Sequence, residues 1–245
     1  MAELGKIVAV ASSKGGVGKS SYIMAIASAL AKSGLNVGIL DNDPNQPVIE
    51  WLSENPVENI TATPKVSDTE VFDTLDKMRE IHDIVLADME GSANLGVAMA
   101  IASADLVIVP SQGSSLDHKE AAKTLGLIRS QSKLQRREIP FRILFTRTSQ
   151  AITPRSLRKA YEQLRERKLP FMKAEFNNLE AFKVFVGEGR SIYSLTDEEA
   201  PNLKGALKVL HALAAELIAV LKDPSYGSET DEATDAAKAT ADAKE

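Results

Sequence analysis

A chain of 245 residues, 44% of them hydrophobic, is long enough to bury a sizeable core within one α/β domain. It contains no cysteine, which excludes a disulfide framework and any thiolate metal site. No stretch reaches the roughly 18 apolar residues that span a bilayer, and no signal-peptide pattern is evident. The formal net charge of −5 conceals a segregation: residues 1–118 hold 7 Lys/Arg against 16 Asp/Glu, residues 119–190 hold 17 against 7, and residues 191–245 hold 5 against 11. One strongly basic third inside an otherwise acidic protein points to a polyanionic partner.

The apolar, β-branched run Ile7 to Ala11 predicts a buried parallel strand. It breaks into Ser12-Ser13-Lys14-Gly15-Gly16-Val17-Gly18-Lys19-Ser20-Ser21, followed by an Ala/Leu-rich helix through Lys32. Three glycines in four residues let successive backbone N–H groups turn toward an anion. The helix N-terminus adds a favourable dipole, Lys19 reaches β/γ phosphates, and the Ser20 hydroxyl is placed to ligate Mg2+. Lys14 to Ser21 therefore form a phosphate-binding loop. Ser13 stands where the general loop pattern has its first glycine, and Lys14 is a second lysine after it.

Along the first helix, Ile23, Ile26, Ala27 and Leu30 share a face, and Gly34 is its C-terminal cap. Val37 to Leu40 reads as a second buried strand running into Asp41-Asn42-Asp43-Pro44, whose carboxylates face the ligand crevice of an open α/β sheet. Val48 to Glu54 is a short helix with Trp51, the only tryptophan, as a packing residue. Asn59 to Thr63 is a strand, and Ser67-Asp68 cap a helix through Glu80. Asp83 to Asp88 is a buried strand ending in an acid at the Walker B position, where an aspartate binds Mg2+. Met89 to Asn94 is then the switch segment, in which Glu90 is either a general base or an exposed loop acid.

Further strands are expected at Ala104–Pro110, Phe141–Arg147 and Leu169–Met172. Helices are expected at Asp117–Ser132 (Ala121, Leu125 and Ile128 inward), at Pro154–Lys168 with Thr153 as N-cap, and at Leu179–Val186. Leu203 to Leu221 is a long helix with Leu203, Leu207, Leu210, Ala214, Leu217 and Leu221 on one face. It has few cations on its polar side and no aromatic, so the reading is packing on the sheet rather than membrane contact. His82, His118 and His211 lack metal-site spacing. The expected fold is α/β: a mostly parallel central sheet with helices on both faces over residues 1–222, then a disordered acidic tail over 223–245.

Lys14-Gly15-Gly16-Val17-Gly18-Lys19-Ser20 resembles the deviant Walker A motif of the ParA/MinD ATPases. Together with Asp41-Asn42-Asp43-Pro44 and the strand ending at Asp88, the likeness covers Lys6 to about Leu221. Asp-Asn-Asp-Pro-Asn-Gln-Pro leading to Trp51, and later Leu-Ala-Asp-Met-Glu-Gly, look most like VirC-type conjugal-transfer ATPases. Only about a dozen residues precede the loop, as in the short form without an N-terminal DNA-reading domain. The resemblance implies ATP and Mg2+ as cofactors, with Lys14 crossing an ATP-dependent homodimer interface and Ser20, Asp43 and Asp88 around the metal. It implies that Asp41 or Asp43 positions the attacking water beside Lys14 and Lys19. Relatives carry proline soon after the Walker B aspartate, where this chain has Met89-Glu90-Gly91. The adenine contact falls to Thr146, to Arg147 or to main chain.

It further implies non-specific DNA binding, a stimulating or cargo protein, and a cytoplasmic, nucleoid-associated location. Arg136, Arg137, Arg155, Arg158, Lys159 and Arg190 are the candidate phosphate contacts. Three alternatives remain: a MinD-like membrane-cycling regulator, a metabolic ligase of the dethiobiotin-synthetase type, or a nucleotide-dependent DNA scaffold with negligible hydrolysis.

Overall fold

Lys6–Val10 (β1), rich in valine and isoleucine, lies in the middle of a seven-stranded parallel sheet. The computed structural model describes residues 4–54, 56–91, 94–113, 115–149 and 154–227. Ser92, Ala93, Thr153, the side chain of His118 and residues 228–245 carried expectations and lie outside the described residues. The other strands are Val37–Asn42 (β2), Ile60–Thr63 (β3), Ile84–Met89 (β4), Leu106–Ser111 (β5), Phe141–Thr148 (β6) and Phe176–Asn177 (β7). Their order is β3-β2-β4-β1-β5-β6-β7, so the chain runs outward from β1 in one direction and then returns to build the other half. β1 therefore sits at the reversal point, and the crevice beyond its carboxyl end is where such sheets take ligands.

Side-chain alternation splits the core in two. On one face Val8, Val10 and Ile39 pack under Lys19–Lys32 (α1), Pro47–Glu54 (α2), Glu180–Gly187 (α7) and Leu203–Lys222 (α8). On the other, Ile7, Ala9 and Val107 pack under Val71–Met78 (α3), Leu95–Ser103 (α4), Ser115–Gln135 (α5) and Arg155–Glu166 (α6). Trp51 is buried in the first layer, edge-on to Phe185 at 6.1 Å. The doubly covered parallel sheet is the expected architecture.

Several local expectations change. α4 was not foreseen, because Leu-Gly-Val-Ala-Met-Ala-Ile-Ala-Ser is apolar all round and has no amphipathic stripe to read. The last strand is Phe176–Asn177; around Leu169–Met172 there is one bridge, Ile143 to Phe171. α3 starts at Val71 without a side-chain cap, while Ser67 donates to the Glu70 carboxylate instead. Pro154 occupies the N-cap position of α6 rather than its first turn. The fully buried face of α8 is Ala206, Leu210, Leu213, Leu217 and Val220, with Leu207, Ala214 and Leu221 at its margins. That apolar face lies against α1 and β7, as the packing reading required. Among the described residues no helix is long and apolar enough to cross a membrane.

Candidate nucleotide-binding site

The loop from Ser12 to Gly18 leaves β1 at the crevice, and α1 begins at Lys19. Gly16 and Gly18 have φ of 71° and 91°, the left-handed region in which a side chain is strained. A Cβ on Gly15, Gly16 or Gly18 would meet open space, so the mouth of the loop is clear. Gly18 occupies the N-cap position, leaving the first N–H groups of α1 without a side-chain cap. Those uncapped donors and the helix dipole suit an anion. Lys19 is only 6% exposed, whereas Lys14, Ser20 and Ser21 are half-buried.

Three side chains hold this loop through contacts that motif reading does not show. Thr146 Oγ1, on β6, donates to the Val17 carbonyl at 2.8 Å. Gln112 Nε2, just after β5, donates to the Gly16 carbonyl at 3.4 Å. Ser13 Oγ donates to the Glu120 carboxylate at 2.7 Å and to its carbonyl at 2.9 Å, tying the loop to α5. Lys123 first, then Ser13, hold the Glu120 carboxyl below the usual range. Thr146 is thus a fastener of the loop, and its hydroxyl is already in use; Arg147 beside it is exposed. Only the position of Ser13, where glycine is usual, hinted at such a tie.

The acids divide the work. Asp88, on β4 directly beside β1, is completely buried, and neither of its carboxylate oxygens has a hydrogen-bond partner among the described residues. Burial pushes its carboxyl up to about 7; nearby Ser20 and Lys19 pull it back, and Asp41 and Asp43 push it further up. An unpartnered buried carboxylate beside a hydroxyl and a lysine is costly unless a cation completes it. That oxygen-rich donor set fits Mg2+. Asp41, paired with Asp88 across β2 and β4, spends one oxygen as a remote cap of α2, accepting from the backbone N–H of Val48 at 2.8 Å and of Ile49 at 3.0 Å. Its other oxygen is buried without a partner, and burial raises its carboxyl. Asp43 is half-buried and closes a turn by accepting from Asn45.

Glu90 pairs with Lys65 at 3.8 Å. A Cβ on Gly91 would lie 2.8 Å from the Gly15 nitrogen, so the segment after β4 rests on the backbone of the phosphate loop. Asn94 caps α4 by accepting from the Val97 N–H at 2.9 Å.

The structure does not gather the six candidate phosphate contacts. Arg155, Arg158 and Lys159 are exposed together on α6. Arg136 is exposed at the far end of α5. Arg137 donates to the carbonyls of Ala102 and Ala104, closing the carboxyl end of α4. Arg190 is held by Glu188 and Glu199.

The profile of the VirC1 protein family matches residues 5–196, which takes in the loop, all three acids and the basic third. The chain belongs to the VirC1 family. It is 31% identical over 209 residues to the protein ParA of Rhizobium radiobacter, covering 85% of this chain and 94% of that protein. To the protein virC1 of the same organism it is 26% identical over 191 residues, covering 75% and 81%. Among solved structures, apo McdA of Cyanothece superposes with a TM-score of 0.69 at 17% identity, covering 85% of this chain and 99% of that one. MinD of Aquifex aeolicus superposes with a TM-score of 0.68 at 19% identity, covering 87% and 97%. This VirC1-family chain is thus similar to ParA in sequence and shares the fold of McdA and MinD.

Proposed function

We propose that this protein is an ATPase that binds ATP with Mg2+, pairs with a second copy around the nucleotide, and holds DNA without sequence preference while paired. The observation that carries the reading is the buried, unpartnered Asp88 carboxylate beside Lys19 and Ser20 at the mouth of the loop. A relative named ParA and a solved plasmid partition protein described as bound to AMPPNP support the same reading. The proposed role is moving or positioning a cargo, in plasmid partition or conjugal transfer, with the cargo protein supplied by the cell.

Each residue then has a task. The uncapped N–H groups of α1 and the Lys19 ammonium take the phosphates, and Val17 is held in place by Thr146. Ser20 and Asp88 would hold Mg2+, which when bound neutralises charge on the β/γ oxygens. Asp43, half-buried and facing the crevice, orients water, while Asp41 keeps one oxygen for α2 and offers the other. Lys14, at the rim, reaches the partner's nucleotide. Residues 1–222 form the catalytic unit, with 223–245 as an appended acidic segment.

The test is DNA binding with ATP, with ADP and without nucleotide, across a salt series, alongside ATP hydrolysis. Binding only with ATP, steeply weakened by salt and lost with hydrolysis, is the expected result. Equal binding in all three states, or none in any, overturns the switch. A Lys14→Ala protein that still pairs and hydrolyses normally removes the shared site.

A further inference from the structure

The phosphate loop is held at two places by different parts of the fold. Its second half, Gly16 to Gly18, leads into the N-terminus of α1 and is gripped at Gly16 by Gln112 and at Val17 by Thr146. Its first half carries Lys14, and there the grip comes from α5. Ser13 Oγ donates to the Glu120 carboxylate at 2.7 Å and to the Glu120 carbonyl at 2.9 Å, both contacts reaching across 107 residues of chain. A glycine at position 13, as in the general loop pattern, could make neither bond.

Glu120 is in turn fixed on its own helix. Its other carboxylate oxygen accepts from Lys123 Nζ at 2.8 Å, and its carbonyl accepts from Thr124 Oγ1 at 3.3 Å. Lys123 first, then Ser13 and the charge of Lys14, lower its carboxyl, so it stays ionised at neutral pH. An ionised acceptor makes the stronger hydrogen bond to Ser13. The Lys14 backbone is confined by two further contacts. Its N–H donates to Ser12 Oγ at 3.2 Å, and a Cβ on Gly91 would lie 3.1 Å from its carbonyl carbon. The start of the Lys14 side chain is thus set by contacts other than those that hold Gly16 and Val17.

We propose that Glu120 is a positioning residue which, acting through Ser13, aims Lys14 at the partner's nucleotide. α5 then governs pairing and turnover, while Gln112 and Thr146 govern nucleotide affinity. The inference rests on the pairing reading above for what Lys14 reaches, but not for how Lys14 is held. Because the ammonium sits at the end of a four-carbon stem, a small turn of the backbone displaces it widely. A misplaced charge stabilises the transferring phosphoryl group poorly.

Two measurements on the full chain test this with Ser13→Ala, Glu120→Ala and Thr146→Val. First, backbone amide relaxation is recorded in the nucleotide-free protein. Ser13→Ala and Glu120→Ala should increase fast motion at Lys14 and Gly15 and leave Val17 and Gly18 unchanged, and Thr146→Val should do the reverse. A Lys14 amide no looser in Ser13→Ala than in the parent overturns the proposal, whether or not the protein pairs. Second, affinity for ADP with Mg2+, which reads the phosphate cradle without pairing, is compared with ATP-dependent pairing by sedimentation and with kcat. Ser13→Ala should keep the ADP Kd within about twofold of the parent while kcat and pairing fall about tenfold. Thr146→Val should weaken ADP binding several-fold. Glu120→Ala combined with Ser13→Ala should lose no more than Ser13→Ala alone, and Ser13→Ala should cost nothing further in a Lys14→Ala protein. An ADP affinity that falls as far in Ser13→Ala as in Thr146→Val overturns the proposal, and so do losses that add between Ser13→Ala and Lys14→Ala. A loosened Lys14 amide in Ser13→Ala, together with a Lys14→Ala protein that pairs and hydrolyses normally, overturns the shared site and leaves the positioning standing.

Discussion

At the carboxyl ends of β1, β2 and β4, the charged groups Lys19, Asp41 and Asp88 are buried, each at a position set by a strand register or a helix start. On α6, by contrast, Arg155, Arg158 and Lys159 stand in solvent with Glu162 among them. Burial makes each charge at the crevice expensive and specific, since an unpaired ion there has no water to fall back on. Exposure makes each cation on α6 cheap and replaceable, so the face works by total charge. One region should fail at a single substitution and the other only by increments.

The largest expected effect is at the buried end. Lys19→Ala should lower ATP hydrolysis by on the order of 10²–10³-fold, because a preorganised positive charge at the phosphates is lost. Steady-state hydrolysis with saturating ATP and Mg2+ measures this, and a loss below tenfold would contradict the buried-charge account. Next comes Asp88→Asn, which moves two properties in opposite directions. Removing an unpartnered buried charge should stabilise the nucleotide-free protein by about 1–3 kcal/mol. The same change should abolish any rise in thermal midpoint on adding Mg2+ with ATP. A variant less stable than the parent without nucleotide would mean that Asp88 has a partner in the folded protein.

On α6 the expected changes are smaller and additive. Arg155→Ala, Arg158→Ala and Lys159→Ala should each weaken DNA binding a few-fold and each reduce the salt slope by about 1. The triple variant should lose the product of the three. A single substitution that removes all binding would make α6 a specific site, and the contrast between the two regions would collapse.

How much of this was legible before the fold was known follows the same division. The loop, the strand ending at Asp88 and the amphipathic helices announce themselves, since local spacing and glycine placement encode them. α4 does not, because a helix whose sequence is apolar on every side has no polar face to mark its period. Asp41 as the cap of α2 and Thr146 as the fastener of Val17 are tertiary partnerships, across 7 and 129 residues. No pattern in the chain records the second. Net charge marks out a basic third, yet it could not tell Arg158, which faces water, from Arg137 and Arg142, whose guanidiniums donate to backbone carbonyls. A charge count sees cations, not their partners.

Arg190 makes the point at the small end of the scale. Its guanidinium is shared between Glu188 and Glu199, so it brings no net positive charge to a phosphate. Arg190→Ala should leave DNA affinity and salt slope unchanged, unlike the three α6 variants. Its consequence lies in acid. Arg190 first, with the Thr196 backbone and hydroxyl, lowers the Glu199 carboxyl to about 2. An acid depressed in the fold supports the native state above its unfolded pKa, and that support is lost as pH falls through the folded value. The contribution should therefore be full at neutral pH and decline between about 4.5 and 2. A carboxyl titration by NMR should place the Glu199 midpoint well below that of an ordinary glutamate, and Arg190→Ala should move it back up. If Arg190→Ala instead flattens the salt dependence of DNA binding, this cation is on the DNA face after all, and the line between partnered and free charge has been drawn in the wrong place.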